Sequence, residues 1–238
     1  MTPHLLLLTL ALSQGADDPT AVINRELAAR WQTEKLTRAD KTEDHEFLRR
    51  ASLDLIGRIP TLDEQAAYRK DAPEKKRRLL IDSLLAHEDH ARHWANLWTA
   101  WLFGSAGDDQ ARQAFHGWLQ KHFAGKGSHQ EMVEKLLLAK GSTRDNPAVQ
   151  LFVAQRGQPI PKDQWKDHGQ YDMYPLTGHV FRVLHANRLR CVQCHDHPFN
   201  ENLGQHDFFQ MNLFFKQVAF TAKGGKPRVE AIDDDPEL

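Results

Sequence analysis

The residues best suited to chemistry are the two cysteines of the chain, Cys191 and Cys194, which are followed directly by His195. A disulfide between cysteines this close in sequence closes almost no loop and adds little stability. The spacing Cys-x-x-Cys-His is instead typical of c-type haem attachment, in which both thiols form thioethers and the histidine binds the iron. We therefore predict haem c as cofactor, with Cys191 and Cys194 as covalent anchors and His195 as axial ligand.

The sequence leaves the sixth ligand of such an iron open. Met211 lies in a phenylalanine-rich segment, where a methionine is also typical of a hydrophobic core. His185 is the histidine alternative, and a five-coordinate iron is a third. Positive charges that could neutralise haem propionates are present at Arg182, Arg188 and Arg190.

The same segment also fits a metal cluster made of Cys191, Cys194, His195 and His197. Zinc accepts mixed cysteine and histidine ligands in tetrahedral geometry, and Cys-x-x-Cys is a common half-site. In that alternative the chain is a non-catalytic binding or scaffold domain whose cluster holds a structural zinc or another metal. A redox dithiol is a third hypothesis, although the strand–helix–strand context of such motifs is not recognisable in this sequence.

Other candidate sites are less specific. His87, His90 and His93 recur at three-residue spacing, which places them along one side of a helix, as a metal trio or as ordinary surface histidines. We find neither a glycine-rich phosphate loop nor a Gly-x-Ser-x-Gly nucleophile motif in the sequence. No catalytic residue is identified, and we expect that the chain is not an enzyme by itself.

The elements that must position these residues are helices. The spacing of apolar residues predicts a compact all-α, multi-helix domain, with helices over 17–36, 44–56, 61–68, 73–87, 88–103, 108–123, 128–139, 146–153, 176–186 and 207–216. Prolines and glycines between 157 and 174 predict a long irregular loop before the Cys-x-x-Cys-His segment. A strand is expected over 218–221.

The net charge and the two ends of the sequence indicate where the protein acts and which partners it does not attract. The net charge of −1 over 238 residues gives no overall field that would attract nucleic acid. Residues 1–16 contain a short apolar run, Leu5–Leu12, followed by small residues, which predicts a signal peptide. The run is too short for a transmembrane helix, which needs about 20 apolar residues. We therefore expect an exported protein, periplasmic or at the cell surface, with one cytochrome-like domain over 17–222 and a disordered tail over 223–238.

Two separated blocks of this sequence resemble a known family. The stretches 47–61, 80–87 and 93–98, and later 191–199, 207–209 and 214–215, are similar to the planctomycete cytochrome-like domain family, the exported domain of unknown function 1549. The resemblance covers about residues 21–218 and implies export, with a Cys-x-x-Cys-His-x-His-Pro block and no assigned activity. Family members are commonly followed by a second domain, whereas this sequence ends shortly after the motif. We therefore expect a stand-alone member, or one that works beside a redox partner protein or a separately encoded companion domain.

Overall fold

The computed structural model describes residues 18–105, 107–125, 127–186, 189–223 and 226–231. The chain divides into two compact units, residues 1–44 and residues 45–238. In the first unit the described residues form helix α1 (Pro19–Thr33), which begins where the Asp18 side chain accepts a hydrogen bond from the Thr20 backbone N–H. The predicted signal peptide, residues 1–16, lies outside the described residues.

The described residues of the second unit are mostly helical and include one small sheet, which confirms the predicted all-α class. Helices α2 (Asp44–Ile56) and α5 (Glu88–Phe103) begin and end where the apolar spacing predicts. The α-helices are α2 (Asp44–Ile56), α3 (Leu62–Lys70), α4 (Lys76–Ala86), α5 (Glu88–Phe103), α6 (Asp109–Ala124), α7 (His129–Leu137), α8 (Gln150–Gln155), α9 (Trp165–His168), α10 (Tyr174–Leu184) and α11 (Gln205–Lys216). Short 3₁₀ helices cover Pro147–Val149, Lys162–Gln164 and Leu189–Gln193, and the strands are β1 (Gly141–Ser142), β2 (Val218–Lys223) and β3 (Lys226–Ala231).

Capping side chains explain where several helices begin. The Thr61 hydroxyl accepts from the Glu64 backbone N–H at 3.2 Å, and the Glu64 carboxylate accepts from the Thr61 N–H at 2.7 Å. The sequence Thr61-Leu-Asp-Glu64 has the spacing of a capping box, and this reciprocal pair forms that box at the start of α3. Asp108 and Ser128 likewise each accept a hydrogen bond from one first-turn N–H group, of α6 and α7 respectively, so one of the free donors at each helix start is satisfied.

The main core lies where α5, α6, α8 and α10 meet. Helix α5 contributes a continuous buried face, since Trp98, Leu102 and Phe103 are all buried, whereas Trp101 is exposed. Phe115 from α6 packs on Phe103 with ring centroids 4.8 Å apart. Burial of these large apolar surfaces is the main force that holds the helices together. The buried aromatic residues of α5, Trp98 and Phe103, therefore belong to the core.

The end of the described chain is more ordered than predicted. Strand β3 pairs antiparallel with β2 from Val218↔Ala231 to Lys223↔Lys226, and with β1 on its other edge. Val229 is 2% exposed and belongs to the main core. The prediction of a disordered tail from residue 223 is therefore wrong for residues 226–231.

The predicted irregular loop at 157–174 is closed by hydrogen bonds between its two ends. Its two ends are joined by backbone hydrogen bonds from Gly157 N to Asp172 O at 2.7 Å, Asp172 N to Gln158 O at 2.9 Å and Ile160 N to Gln170 O at 2.9 Å. Helix α9 lies between these ends. The loop prediction is thus correct in position, and the backbone pairing that closes the loop went unpredicted.

A network of charges joins the turn after α2 to α3 and α5. The Arg58 guanidinium donates to the Asp89 carboxylate at 2.7 Å and, through two nitrogens, to the Glu64 carboxylate at 2.9 and 2.8 Å. The Asp89 side chain is only 8% exposed. We call Arg58, Glu64 and Asp89 the Arg58 clamp. A buried carboxylate requires such a partner, because an unpaired charge away from water is strongly unfavourable.

The three histidines that could form a metal trio have separate local roles. The His87 Nδ1 accepts from the Asp89 backbone N–H at 3.0 Å and caps α5. A ring nitrogen of His90 lies 2.8 Å from the Leu55 carbonyl oxygen. His93 packs against Gly57, where φ is +72° and a Cβ would lie 2.2 Å from the His93 Nδ1. The three histidines therefore help to hold α2 and the turn after it against α5.

We expect the Arg58 clamp to make stability depend on pH in the acid range. The hydrogen bond from Arg58 lowers the pKa of Glu64 from 4.5 to about 2, and Arg58 also lowers the pKa of Asp89. A carboxylate with a depressed folded-state pKa contributes stability above its unfolded pKa, and that stability is lost as the pH falls towards the folded value. The free energy of unfolding should therefore fall between about pH 4.5 and pH 2.

Urea denaturation at a series of pH values, followed by circular dichroism, measures this dependence. Because other carboxylates also titrate, the comparison is with Arg58→Ala, which should show a shallower loss across the same window. Identical slopes for the two proteins would show that the clamp does not cause the dependence.

Candidate functional site

The Cys-x-x-Cys-His segment lies between α10 and α11 and is anchored by one buried residue. Val192, between the two cysteines, is completely buried and packs against Phe208 of α11, which is 1% exposed. Cys191 and Cys194 on either side are exposed. The apolar cluster around Val192 includes the half-buried side chains of Tyr174, Phe181, Leu203 and Phe209. The segment is therefore held by its central valine while its thiols point outward.

Both thiols are free and accessible. Cys191 lies in the 3₁₀ helix Leu189–Gln193, and Cys194 lies in the turn that follows it. No disulfide joins them. Exposed, unbridged thiols are available for covalent attachment or for metal binding.

His195 makes one hydrogen bond that determines which ring nitrogen can bind a metal. Its Nδ1 lies 2.7 Å from the Asp196 carbonyl oxygen. Because a carbonyl oxygen only accepts, Nδ1 carries the proton and donates it, so the lone pair of the neutral ring is on Nε2. A metal-binding histidine commonly has this arrangement, in which Nδ1–H donates to a backbone carbonyl. His195 is exposed, so Nε2 is open to a ligand.

His197 makes the opposite hydrogen bond. Its Nδ1 accepts from the Phe199 backbone N–H at 3.2 Å. Because a backbone N–H only donates, the proton of the neutral His197 ring is on Nε2, which leaves no free lone pair. The His197 backbone N–H also donates to the Leu203 carbonyl at 2.9 Å. His197 therefore closes a turn rather than presenting a ligand.

Asp196 fastens this turn to the start of α11. Its Oδ1 accepts from the Gln205 backbone N–H at 2.9 Å, and the Gln205 side chain donates to the Gln193 carbonyl at 3.2 Å. The approach is close, because a Cβ on Gly204 would lie 3.0 Å from the Asp196 Oδ1. Asp207 adds a further cap by accepting from the Gly204 N–H at 2.7 Å. Asp196 is thus a positioning residue for the cysteine segment.

We expect Asp196→Ala to loosen this connection at a cost of about 1 kcal/mol, the usual effect of removing a helix-terminal cap. The reason is that the Gln205 N–H loses its acceptor. Hydrogen exchange at the Gln205 amide should become faster, and Asp196→Asn, which keeps a side-chain oxygen, should restore most of the protection. Unchanged exchange at Gln205 in the alanine variant would contradict the positioning role.

A cleft of about 830 Å³ lies beside the segment. Ligand-binding clefts commonly have volumes of about 300–1,000 Å³. One side is formed by the 3₁₀ helix and the other by one face of α10, with lining residues Cys191, Gln193, Tyr174, Gly178, His179 and Arg182. Cys194 and His195 are not among the described residues that line it. Of the three predicted haem-binding residues, only Cys191 therefore faces the cleft.

The other predicted ligands and charges are dispersed. His185 is exposed and stacks on Phe181 with ring centroids 4.7 Å apart, and Met211 is half-buried in α11. Arg182 lines the cleft. Arg188 lies outside the described residues. Within the described ranges, no three or more His, Cys, Asp or Glu side chains are arranged to hold a metal ion, so the alternative cluster of Cys191, Cys194, His195 and His197 is not assembled.

Sequence reasoning overlooked His179, which lies on the cleft face of α10. Its Nε2 is buried and has no hydrogen-bond partner among the described residues. Burial, and the nearby positive charge of Arg182, lower the pKa of His179, so the ring is neutral at pH 7. A single histidine in an apolar helix gives no sequence signal, and only the folded chain shows that it shares a cleft with Cys191.

None of the helices in the described ranges has both the length and the apolar character that crossing a bilayer requires.

Comparison with known proteins identifies a family. The sequence model of a family described as a protein of unknown function (DUF1549) matches residues 22–220. Neither the curated proteins nor the solved structures give a match. The matched range includes both resembling blocks, the first around the Arg58 clamp and the second around the cysteine segment, and it confirms the predicted membership. The chain therefore belongs to the DUF1549 family of proteins of unknown function.

Proposed function

We propose that the chain is an exported haem-binding module of the electron-transfer type, with haem c attached at Cys191 and Cys194 and bound axially by His195. The observation that carries the proposal is the opposite hydrogen bonding of the two histidines. The His195 Nδ1 donates to a carbonyl and leaves Nε2 free, whereas the His197 Nδ1 accepts from a backbone N–H. His195 is therefore prepared as a ligand, and His197 is not.

The state of the thiols supports covalent attachment. Cys191 and Cys194 are free and exposed, with Val192 fixing the segment between them. Each S–H adds across the C=C bond of a vinyl group, forming a C–S bond while the thiol hydrogen moves to the terminal carbon. No oxidant is needed, and no group leaves. A haem bound in this way would supply one-electron redox chemistry at its iron.

The neighbouring residues suit a large, flat, partly charged group. The cleft beside Cys191 has apolar walls at Tyr174 and Phe208, whose rings meet edge to face with centroids 5.5 Å apart. Arg182 contributes a positive charge and Asp172 a carboxylate to the same cleft, and the guanidinium could pair with a carboxylate of the ligand such as a propionate.

Export and a redox partner complete the proposal. Attachment of c-type haem takes place outside the cytoplasm, which agrees with the predicted signal peptide at residues 1–16 and a periplasmic or cell-surface location. Electrons would pass to a separate redox partner protein or to a companion domain.

An absorption spectrum of the purified protein, produced with c-type maturation machinery, tests the proposal. We expect a red protein with a Soret band, and little or no colour when the machinery is omitted or when Cys191 is replaced by alanine. A colourless protein with stoichiometric zinc that unfolds on chelation would contradict the proposal and support the metal-scaffold alternative.

A further inference from the structure

Helix α1 carries an apolar stripe that the rest of its own unit does not cover. Ile23, Leu27 and Trp31 recur every four residues, so their side chains follow one another along one side of the helix. Ile23 is 57% exposed and Leu27 is 42% exposed, and none of the residues of α1 is buried. Residues 34–44, which complete the described part of the first unit, therefore leave the stripe largely open.

A helix without a buried face needs a partner to be stable. Isolated helices shorter than about 12–15 residues are marginal in water, and most helical stability in proteins comes from the packing of an apolar face. Helix α1 has 15 residues, and the hydrogen bond that Asp18 accepts from the Thr20 N–H stabilises only its first turn. The stripe is therefore the part of α1 on which a partner surface would pack.

The spacing of the stripe fits a second copy of the same helix. Ile23 lies four residues before Leu27, and Trp31 lies four residues after it. When two copies pair antiparallel about a two-fold axis at Leu27, each Leu27 meets its counterpart, and each Ile23 meets Trp31 of the other copy. A two-fold axis makes such a contact self-complementary, and the opposition of a smaller and a larger side chain lets the two surfaces interdigitate.

The charges of this segment favour the antiparallel direction. Along α1 they form pairs, Arg25 with Glu26 at 3.5 Å and Arg30 with Glu34 at 2.8 Å. The charges at the two ends differ in sign, because Asp18 precedes the first turn and Lys35 follows the last. Antiparallel pairing brings Asp18 of one copy towards Lys35 of the other, whereas parallel pairing would bring like charges together.

We propose that α1 is a dimerisation surface, through which two copies of this chain pair antiparallel about Leu27. The inference goes beyond the proposed function, since it involves neither the thiols nor a haem. Stable protein interfaces bury about 1,200–2,000 Å² in total. A pair of helices about four turns long covers less than this, so we expect a reversible dimer whose population rises with protein concentration.

The first test measures the dimer by sedimentation velocity of the purified protein over a wide range of concentrations. Leu27→Glu places two carboxylates at the axis and should raise the dissociation constant by about tenfold or more. Leu62→Glu is the matched control, because Leu62 is 81% exposed but belongs to α3 of the second unit, and it should leave the constant unchanged. A wild type that is monomeric at every concentration, or a dimer that persists in Leu27→Glu, would overturn the proposal.

The second test mixes Leu27→Glu with Leu27→Lys. Each variant alone should be mostly monomeric, and the mixture should dimerise again, because residue 27 of one copy faces residue 27 of the other across the axis. Recovery in the mixture also shows that both variants are folded. A mixture that stays monomeric would contradict pairing about Leu27.

Hydrogen exchange at the α1 amides separates a second copy from the other unit of the same chain as the partner of the stripe. Protection of these amides in the wild type should rise with protein concentration and should be low in Leu27→Glu. Protection that is equal at all concentrations would show that the stripe packs within its own chain, which would overturn the proposal.

Discussion

Replacing His195 with alanine should abolish the wild-type axial ligation of the haem-loaded protein, whereas replacing His197 with asparagine should leave it intact. The His195 ring has its free lone pair on Nε2, because its Nδ1 donates to the Asp196 carbonyl. The His197 ring instead accepts from the Phe199 N–H, and an asparagine oxygen can take over that local role. The prediction therefore separates two histidines that lie only two positions apart.

The measurement is the absorption spectrum of oxidised and reduced protein for both variants, recorded beside the wild type. Far-ultraviolet circular dichroism controls for folding. Addition of imidazole should restore the spectrum of the His195 variant if only the ligand is missing. Equal losses in the two variants would contradict the assignment of His195, since a general disturbance of the turn would affect both.

Replacing Arg58 with alanine should destabilise the second unit by about 2 kcal/mol, the effect expected when charge-assisted hydrogen bonds to two carboxylates are lost while Arg92 still pairs with Asp89. The variant leaves the Asp89 carboxylate, 8% exposed, with Arg92 as its remaining guanidinium donor. It also removes the link to Glu64, so α3 and α5 lose their shared contact with the turn after α2. The urea midpoint at pH 7 should fall accordingly.

Arg50→Ala is the matched control for the clamp. Arg50 pairs with Glu46 one helical turn away, but both side chains are at least half exposed. Exposed pairs of this kind contribute about 0–1 kcal/mol, so this variant should unfold close to the wild type. If Arg58→Ala and Arg50→Ala lowered the midpoint equally, the clamp would be no stronger than an ordinary surface pair.

The two blocks that carry the family resemblance have different physical roles. In the first block Gly57 provides a positive φ against His93, Arg58 forms the clamp, and Thr61 caps α3. These residues fix how the helices meet. The second block carries the thiols and His195, which offer chemistry at the surface. The first block therefore supports the fold, and the second supports the proposed function.

Local signals predicted the local structure well. Helix α5 was predicted with its observed ends because its apolar residues repeat at helical spacing and a glycine, Gly104, follows its last turn. The capping box at Thr61 and Glu64 depends on residues three positions apart, and the structure confirms it. Such features are readable because the interacting groups are close in sequence.

Features that depend on distant residues could not be predicted in this way. Arg58 and Asp89 are 31 positions apart, and nothing near either residue identifies the other as its partner. Strand β3 was missed because Gly, Pro and charged residues dominate its surroundings, while its stability comes from pairing with β2 and burying Val229. His179 could not be recognised from the sequence, because only the folded chain places it in the same cleft as Cys191.

The mass of the intact, denatured protein tests the central claim most directly. Protein produced with c-type maturation machinery is extracted with acidified organic solvent, which removes haem that is not covalently bound, and is then weighed by mass spectrometry. We predict a single species heavier than the polypeptide by one haem, and the mass of the bare polypeptide when both Cys191 and Cys194 are replaced by alanine. A wild-type chain that keeps the bare polypeptide mass would contradict covalent attachment at this site.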